Sequence, residues 1–272
     1  MARRKRHNIT LKAQIRKSPR LFIVYVLLRL SVVLIMIAQI FNRDWQNVFL
    51  CVLTLVLFTV PSYIEKNWHI DIPDGLEIII LLFIYSAEIL GEIRAYYVNI
   101  QGWDTALHTI TGFLSAAVGF SLVDIINRNE NTKLYLSPVY VALGAFCFSM
   151  TIGVFWEFFE FFMDTTFGLD MQKDTIIHTI NTVTLDETLS NKVVTIAGIT
   201  ETAVNGVPLN IDGYLDIGLI DTMKDLFVTF IGSAVFCPLG FIYLKTSGKA
   251  RFAKKFIPSL KTQEEKCGDS EN

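Results

Sequence analysis

The chain reads as long apolar blocks separated by short polar punctuation. Leu21 to Ile40 carries a single charge, Arg29, and the blocks from Gly75 to Leu90 and from Pro138 to Phe162 are comparably dense in apolar residues. A hydrocarbon core about 30 Å thick takes a helix of about 17–25 mostly apolar residues. The pattern therefore predicts six spanning helices, over about 21–41, 47–64, 74–91, 104–126, 138–162 and 220–244. Asn42-Arg43-Asp44, Pro61-Ser62, Pro73-Asp74-Gly75, Gly102 and residues 127–137 supply the turn and breaker residues between them. The first block is too long for a signal-peptide apolar region and no small-residue cleavage site follows it, so it is expected to be retained as a helix.

Between the fifth and sixth blocks, residues 163–219 change character and become rich in Thr, Asp and Asn. Val193 to Ile196 and Val207 to Ile211 are β-prone, and Asn205-Gly206 is the dipeptide that favours a type I′ hairpin turn. The expected fold class is all-α: a polytopic transmembrane helical bundle of six spans with a small external loop containing a β-hairpin. Its organisation is a basic tail at 1–20, five spans within 21–162, the loop or cap at 163–219, the sixth span at 220–244 and a second basic tail at 245–272.

Composition narrows the class. Hydrophobic residues make up 52% of the chain and charged residues 18%, against about 45–50% and about 25% in soluble domains. A soluble α/β enzyme, a disordered chain and a secreted disulfide scaffold are excluded. The four cysteines form no CxxC pair, so neither a disulfide framework nor a thiolate metal site is indicated. The formal charge of −2 conceals a strong segregation. The two tails and the loops at 65–73 and 127–137 hold eighteen of the Lys and Arg residues, whereas the loops at 42–46, 92–103 and 163–219 hold four. Basic residues concentrate on the cytoplasmic side of membrane proteins, which places both termini in the cytoplasm. The partners of these clusters are membrane lipids and not nucleic acid. Trp45, Trp103 and Trp156 then fall at the outer interface and Trp68 at the inner one.

Ionisable side chains in a span are costly, so their placement is informative. Glu157, Glu160 and Asp164 recur at i, i+3, i+7, a face about 60° wide that continues inward through Gly153, Ser149, Ala145 and Ala142. Asp104 and His108 lie on the side of their helix that continues into Gly112, Ser115, Ala116 and Gly119. Asp221 and Asp225 lead in the same way to Gly232. Small residues at helical spacing allow close helix contact in lipid, so these polar groups are expected to look into the bundle. The six-span topology sets all three groups at the external end, with Glu88 and Glu92 nearby. So many carboxylates need a divalent cation, shared protons, or Arg94 and Lys224 as compensation. Carboxylates with one imidazole suit Mn, Fe or Zn.

The expected metal ligands are His108, Glu157, Glu160 and Asp225, with Asp104, Asp164 and Asp221 supporting or replacing them. Asp104, one turn from His108, is placed to hold the second ring nitrogen. Glu157 and Glu160 are the candidates for moving a proton. Taken one by one, the acids also suit ordinary interfacial positions, and Asp104 and Asp221 suit helix N-termini. His178 reads as a solvated loop residue. Arg29, deep in the first span, is expected to pair with Glu77 or Asp124.

Taken together, Trp103-Asp104-x3-His108-x3-Gly112, Trp156-Glu157-x2-Glu160-x3-Asp164, Gly168-Leu169-Asp170-Met171-Gln172 and Asp221-Thr222-x2-Asp225-x6-Gly232 resemble the YjdF-like family of bacterial inner-membrane proteins, over about residues 75–244. VanZ-like membrane proteins are similar more loosely. The resemblance implies a bacterial inner-membrane location and supports this set of residues; it implies no particular reaction. The segment from Lys173 to about Asp216 departs from the family pattern and implies a cap that modifies access.

Two functional classes fit. One is a metal-dependent enzyme acting on a lipid or envelope substrate at the outer leaflet. The other is a cation- or proton-coupled transporter, or a binding or structural protein without turnover. Against transport, the sequence has no inverted repeat and no pair of Gly/Pro-broken helices at the midplane. On the predicted topology, cysteine reporters at Asn8, Asn131 and Ser270 are labelled from the cytoplasm and those at Asn99 and Thr188 from outside. Labelling of Ser270 from outside intact cells overturns the even number of spans.

Overall fold

The computed structural model describes residues 18–68, 70–128, 135–246 and 256–260. Most of the two basic tails, and most of the inner loop expected at 127–137, lie outside the described residues. In chain order the helices are α1 (Pro19–Phe41), α2 (Trp45–Leu57), α3 (Val60–Trp68), α4 (Asp74–Tyr85), α5 (Tyr96–Asn99), α6 (Trp103–Arg128), α7 (Pro138–Phe167) and α8 (Leu219–Lys245). A π-helical segment, Ser86–Ile93, continues α4. The strands are β1 (Ile70–Asp71), β2 (Ile176–Ile177), β3 (Thr179–Thr182), β4 (Val194–Ala197), β5 (Ala203–Val204), β6 (Val207–Pro208), β7 (Tyr214–Leu215) and β8 (Ser259–Leu260).

Among the described residues, five stretches are long and apolar enough to cross a membrane: Pro19–Phe41, Trp45–Asn67, Trp103–Asn127, Pro138–Phe167 and Leu219–Lys245. They match five of the six predicted blocks, and helical winding, which satisfies the backbone polar groups locally as lipid demands, accounts for nearly all of each. The third predicted block, 74–91, is also helical but changes from α to π winding at Ser86. Its α part, at 12 residues, reaches only about 18 Å.

The second block is not one uninterrupted helix. Pro61 has no N–H to offer the carbonyl one turn back, and its ring crowds that carbonyl, so α2 stops and α3 begins afresh. Thr59 N donates to Val56 O at 2.9 Å and Tyr63 N to Thr59 O at 3.0 Å across the break. α7 runs to Phe167, five residues past the expected end, and so carries Asp164 within the helix. Helix starts reflect local chemistry: Pro19 sits in the first turn of α1, Asp44 accepts from Asn47 N at 3.1 Å to cap α2, and Asp74 and Glu77 occupy the first turn of α4.

The chain divides into two compact units, Met1–Ile152 with Val228–Asn272, and Gly153–Phe227. In the first unit, α1 packs on α2, α4 and the π segment through buried Val32, Cys51, Phe58, Leu81 and Ile89. Ala116, Ala117 and Phe120 of α6 form a second core with Val141, Ala145, Phe236 and Ile257. Close backbone approach organises this second core. A methyl group added at Gly112 would lie 2.2 Å from the Thr229 carbonyl oxygen, and one added at Gly232 would lie 2.0 Å from that of Thr109. Ser149 Oγ donates to Gly112 O at 2.7 Å, and a 2.7 Å bond joins the hydroxyls of Ser149 and Ser233. Gly112, Ala116, Gly119, Ala145, Ser149 and Gly232, all on the small-residue faces expected from the sequence, are thus contact residues of this bundle. Arg29 lies over the Tyr25 ring and donates to the Tyr25 hydroxyl, a partner one turn away that the spacing of the acids does not indicate.

The second unit holds three two-stranded antiparallel ladders among the described residues, β2 with β7, β3 with β4 and β5 with β6. Asn205 and Gly206 join β5 to β6 with φ of 52° and 79°, the left-handed pair that a type I′ turn requires. The expected hairpin is therefore present, accompanied by two ladders that close over longer distances.

Gly112→Ala or Gly232→Ala forces the paired helix backbones apart. Each substitution is expected to destabilise the protein by about 1–3 kcal/mol, lowering the detergent-solubilised melting temperature by several degrees. Gly144→Ala, whose methyl would meet only the Val123 side chain at 3.2 Å, is the control. Equal melting of all three variants would show that the backbone contact is not tight.

Candidate functional site

Gly102, with φ of 79°, turns the chain into α6, and Trp103 opens the helix. Asp104 lies in its first turn, where the positive end of the helix favours a carboxylate. His108 comes one turn later, and its Nε2 stands 3.5 Å from Asp104 Oδ1. The His108 side chain is 12% exposed and that of Asp104 27%, so the pair is shielded on most sides. Thr229 Oγ1 of α8 reaches the His108 carbonyl at 3.4 Å. Asp225 precedes Thr229 by one turn and is 1% exposed. Asp104, His108 and Asp225 each offer one ligand atom, and these three atoms lie within 4.8 Å of one another.

The other acids expected at the site have different surroundings. Glu157 and Glu160 are both buried in α7, and Trp156 Nε1 donates to Glu160 Oε1 at 2.8 Å. Neither belongs to the three-residue group. Asp164 accepts backbone N–H groups from Met171 at 2.6 Å and Gln172 at 2.9 Å. Asp221 accepts from Lys173 N at 2.9 Å and has Lys224 Nζ at 3.9 Å. Gln172 Nε2 donates to Thr222 Oγ1 at 2.6 Å. The Gly168 to Gln172 motif is therefore a strap fastened to the end of α7 by Asp164, and the residues just after it are fastened to the start of α8. Carboxylates that already accept two N–H bonds, as Asp164 does, have less capacity for a cation. Glu88 and Glu92 lie in the π segment, a winding often found at functional sites.

Two further carboxylates organise the loop. Asp216 accepts from Thr175 N at 2.7 Å and Ile220 N at 2.8 Å, capping α8 and tying the two ends of the loop together. Asp186 is buried within its own turn and accepts from the Thr188 hydroxyl at 2.6 Å and from the amides of Lys192, Thr188 and Ser190. Neither is among the residues that helical spacing singles out. For Asp186 the local signal is an Asp with Thr at i+2 and Ser at i+4. His178 is exposed, with Nδ1 3.0 Å from Ile199 O, which suits the loop role expected of it.

Long apolar helices, polar residues gathered on small-residue faces and a hydrogen-bonded β loop define a helical membrane protein. Residues 23–246 match the profile of a family described as predicted membrane protein (DUF2238), and the chain belongs to that family. No curated protein and no solved structure matches the chain significantly.

The hydroxyl and amide donors around Asp186 hold its carboxyl far below the usual carboxylate range. A carboxylate depressed by folding stabilises the loop at pH above its unfolded value, about 4. That contribution is lost as pH falls below this value toward the folded one. Amide exchange at Thr188, Ser190 and Lys192 is therefore expected to accelerate in Asp186→Asn at neutral pH, and in the wild type only in strong acid. Unchanged protection in Asp186→Asn at pH 7 would refute the role.

Proposed function

We propose that the chain is a bacterial inner-membrane protein with both termini in the cytoplasm, and that Asp104, His108 and Asp225 hold a divalent cation at the external end of α6 and α8. The cation serves a hydrolytic enzyme acting on a lipid or envelope substrate at the outer leaflet. The observation that carries this reading is the approach of the three ligand atoms to within 4.8 Å. The His108 to Asp104 separation adds to it. At 3.5 Å it is longer than a good N–H···O bond, about 2.7–3.2 Å. It is near the separation, about 3.4 Å, of two ligands set tetrahedrally about 2.1 Å from one zinc ion. Asp104 is then a fellow ligand of His108 and not the partner of its second nitrogen.

Two carboxylates and a neutral imidazole balance a dication, which lifts the cost of burying Asp225. Zn, Mn and Fe suit this donor set. Asp104, His108 and Asp225 would hold the cation with a position left for water, and it would supply acidification of that water and polarisation of a substrate oxygen. Glu157 or Glu160, both buried, is the proton carrier. Asp164 and Asp221 act by holding the 168–173 segment. The motifs shared with YjdF-like proteins support the same residue set. The six-span count derives from the apolar blocks of the sequence, and the cytoplasmic termini and external loop from its charge segregation.

Metal analysis of protein purified without added metal or chelator tests the reading. One equivalent of Zn, Mn or Fe is expected in the wild type and in Glu157→Gln, and none in His108→Ala or Asp225→Asn. A cation bound well above its dissociation constant stabilises by about 2–4 kcal/mol, so chelation is expected to lower the melting temperature by about 5 °C or more. Metal-free wild type whose melting ignores chelation overturns the site and returns the choice to a proton-coupled transporter or a structural protein.

A further inference from the structure

The chain does not simply leave the bundle after α8. Ile257, twelve residues beyond Lys245, is 4% exposed and lies in the core formed by Ala116, Ala117, Phe120, Val141, Ala145 and Phe236. The Phe256 ring meets Phe113 edge-on with centroids 5.6 Å apart, and Phe113 meets Phe236 in the same way at 5.2 Å. Phe120 lies 5.9 Å from Phe236. Pro258 is buried. Ser259 and Leu260 then pair with Asp71 and Ile70 as an antiparallel ladder. The loop that carries β1 is itself held by Glu65, whose Oε1 accepts from Ile72 N at 3.0 Å. A segment beyond a spanning helix has re-entered the core shared by the spans and is fixed at both its apolar and its backbone end.

The geometry points to a strap: Phe256–Leu260 closes the half of the α6 packing that lies beyond Gly112, so that the Asp104 and His108 end communicates with one side of the membrane only. Between that end and the opposite face stand the rings of Phe113, Phe120, Phe236 and Phe256 together with Ile257, side chains that offer no hydrogen bond to an ion or to water. The loop before α4 supplies the strap's docking strand and the α6, α7 and α8 side chains supply its pocket. The inference rests on the proposed function only for the identity of the site; the closure itself stands on the packing of the strap.

The test uses the full chain with its four native cysteines replaced. Ile70→Cys with Leu260→Cys is expected to form a disulfide in high yield under mild oxidation, read as the linked peptide by mass spectrometry. A cysteine reporter placed by Ala117→Cys is expected to resist a small membrane-impermeant thiol reagent applied from the cytoplasmic side, and to react at least tenfold faster when Ile257→Asp expels the strap. Phe256→Ala with Pro258→Ala serves if Ile257→Asp does not fold. The cross-linked chain is expected to bind zinc as the uncrosslinked chain does, because the strap need not move. Failure of the Ile70/Leu260 pair to link, equal reporter labelling with and without the strap substitutions, or loss of zinc binding on cross-linking overturns the strap as a one-sided seal. A chain that binds no zinc in either state defeats the proposed site alone, and the labelling still decides the closure.

Discussion

Most of the bundle's geometry is set where the backbones of α6 and α8 touch, at Gly112 and Gly232. Lipid tails are as apolar as leucine, so helices in a bilayer gain little from hiding apolar side chains and associate through close packing and interhelical hydrogen bonds. Here the two glycines face each other's helix reciprocally, Gly112 against Thr229 and Gly232 against Thr109. Ser149 and Ser233 bridge the same crossing with hydroxyl bonds. The crossing also sets the register of the polar residues above it. Thr229 reaches the His108 carbonyl, and Asp225, one turn before Thr229 on α8, is grouped with Asp104 and His108 by ligand atoms within 4.8 Å of one another. A one-residue slip of either helix would rotate its acid by about 100° and dissolve the three-residue group.

Acids in this chain do two kinds of work, separated by what surrounds them. Asp164, Asp186, Asp216 and Asp221 accept backbone N–H bonds from loop residues. They take the place of an apolar core in a segment whose strands are two to four residues long, too short for independent stability. Asp225, Glu157 and Glu160 also lie buried along helices, and Glu160 accepts from Trp156 Nε1 at 2.8 Å. A buried charge is tolerated when paired or coordinated, and the backbone N–H groups given to Asp164, Asp186, Asp216 and Asp221 are a pairing that spacing alone does not reveal.

The fold was largely legible because its strongest signals are local. Apolar blocks of spanning length reappear as α1, α6, α7 and α8 with boundaries shifted by a few residues, and Asn205-Gly206 forms its turn because both residues tolerate positive φ. Asp104 and His108 were legible as a pair because i and i+4 share a helix face. The illegible features are non-local. The π winding after Tyr85, the pairing of β1 with a strand almost two hundred residues later, and the fastening of Asp164 and Asp221 by the 171–173 segment all depend on partners that periodicity does not reveal. The break at Phe58 was signalled by Pro61, yet hydropathy carries the block across it as a single span.

The distribution of polar groups along α6 bears on which class of function the bundle suits. A pathway through the membrane needs groups that can replace an ion's hydration at intervals across the whole thickness. Inward from His108 stand the hydroxyls of Ser149 and Ser233, both already committed to hydrogen bonds at the helix crossing. Ser121, further along α6, is spent in the same way on the Ala117 carbonyl. Around it come Ala116, Ala117, Phe120 and Phe236, with Ile257 added from the tail, none exposed by more than 4%, and about one turn beyond Ser121 stands Asp124, a buried acid near the far end of the same helix. An acid-bearing end backed by this apolar core is the arrangement that the proposed one-sided site would require, and the hydroxyl crossing joins the helices on which that site is proposed. Chemistry at one leaflet needs both properties, whereas alternating access requires the same crossing to open.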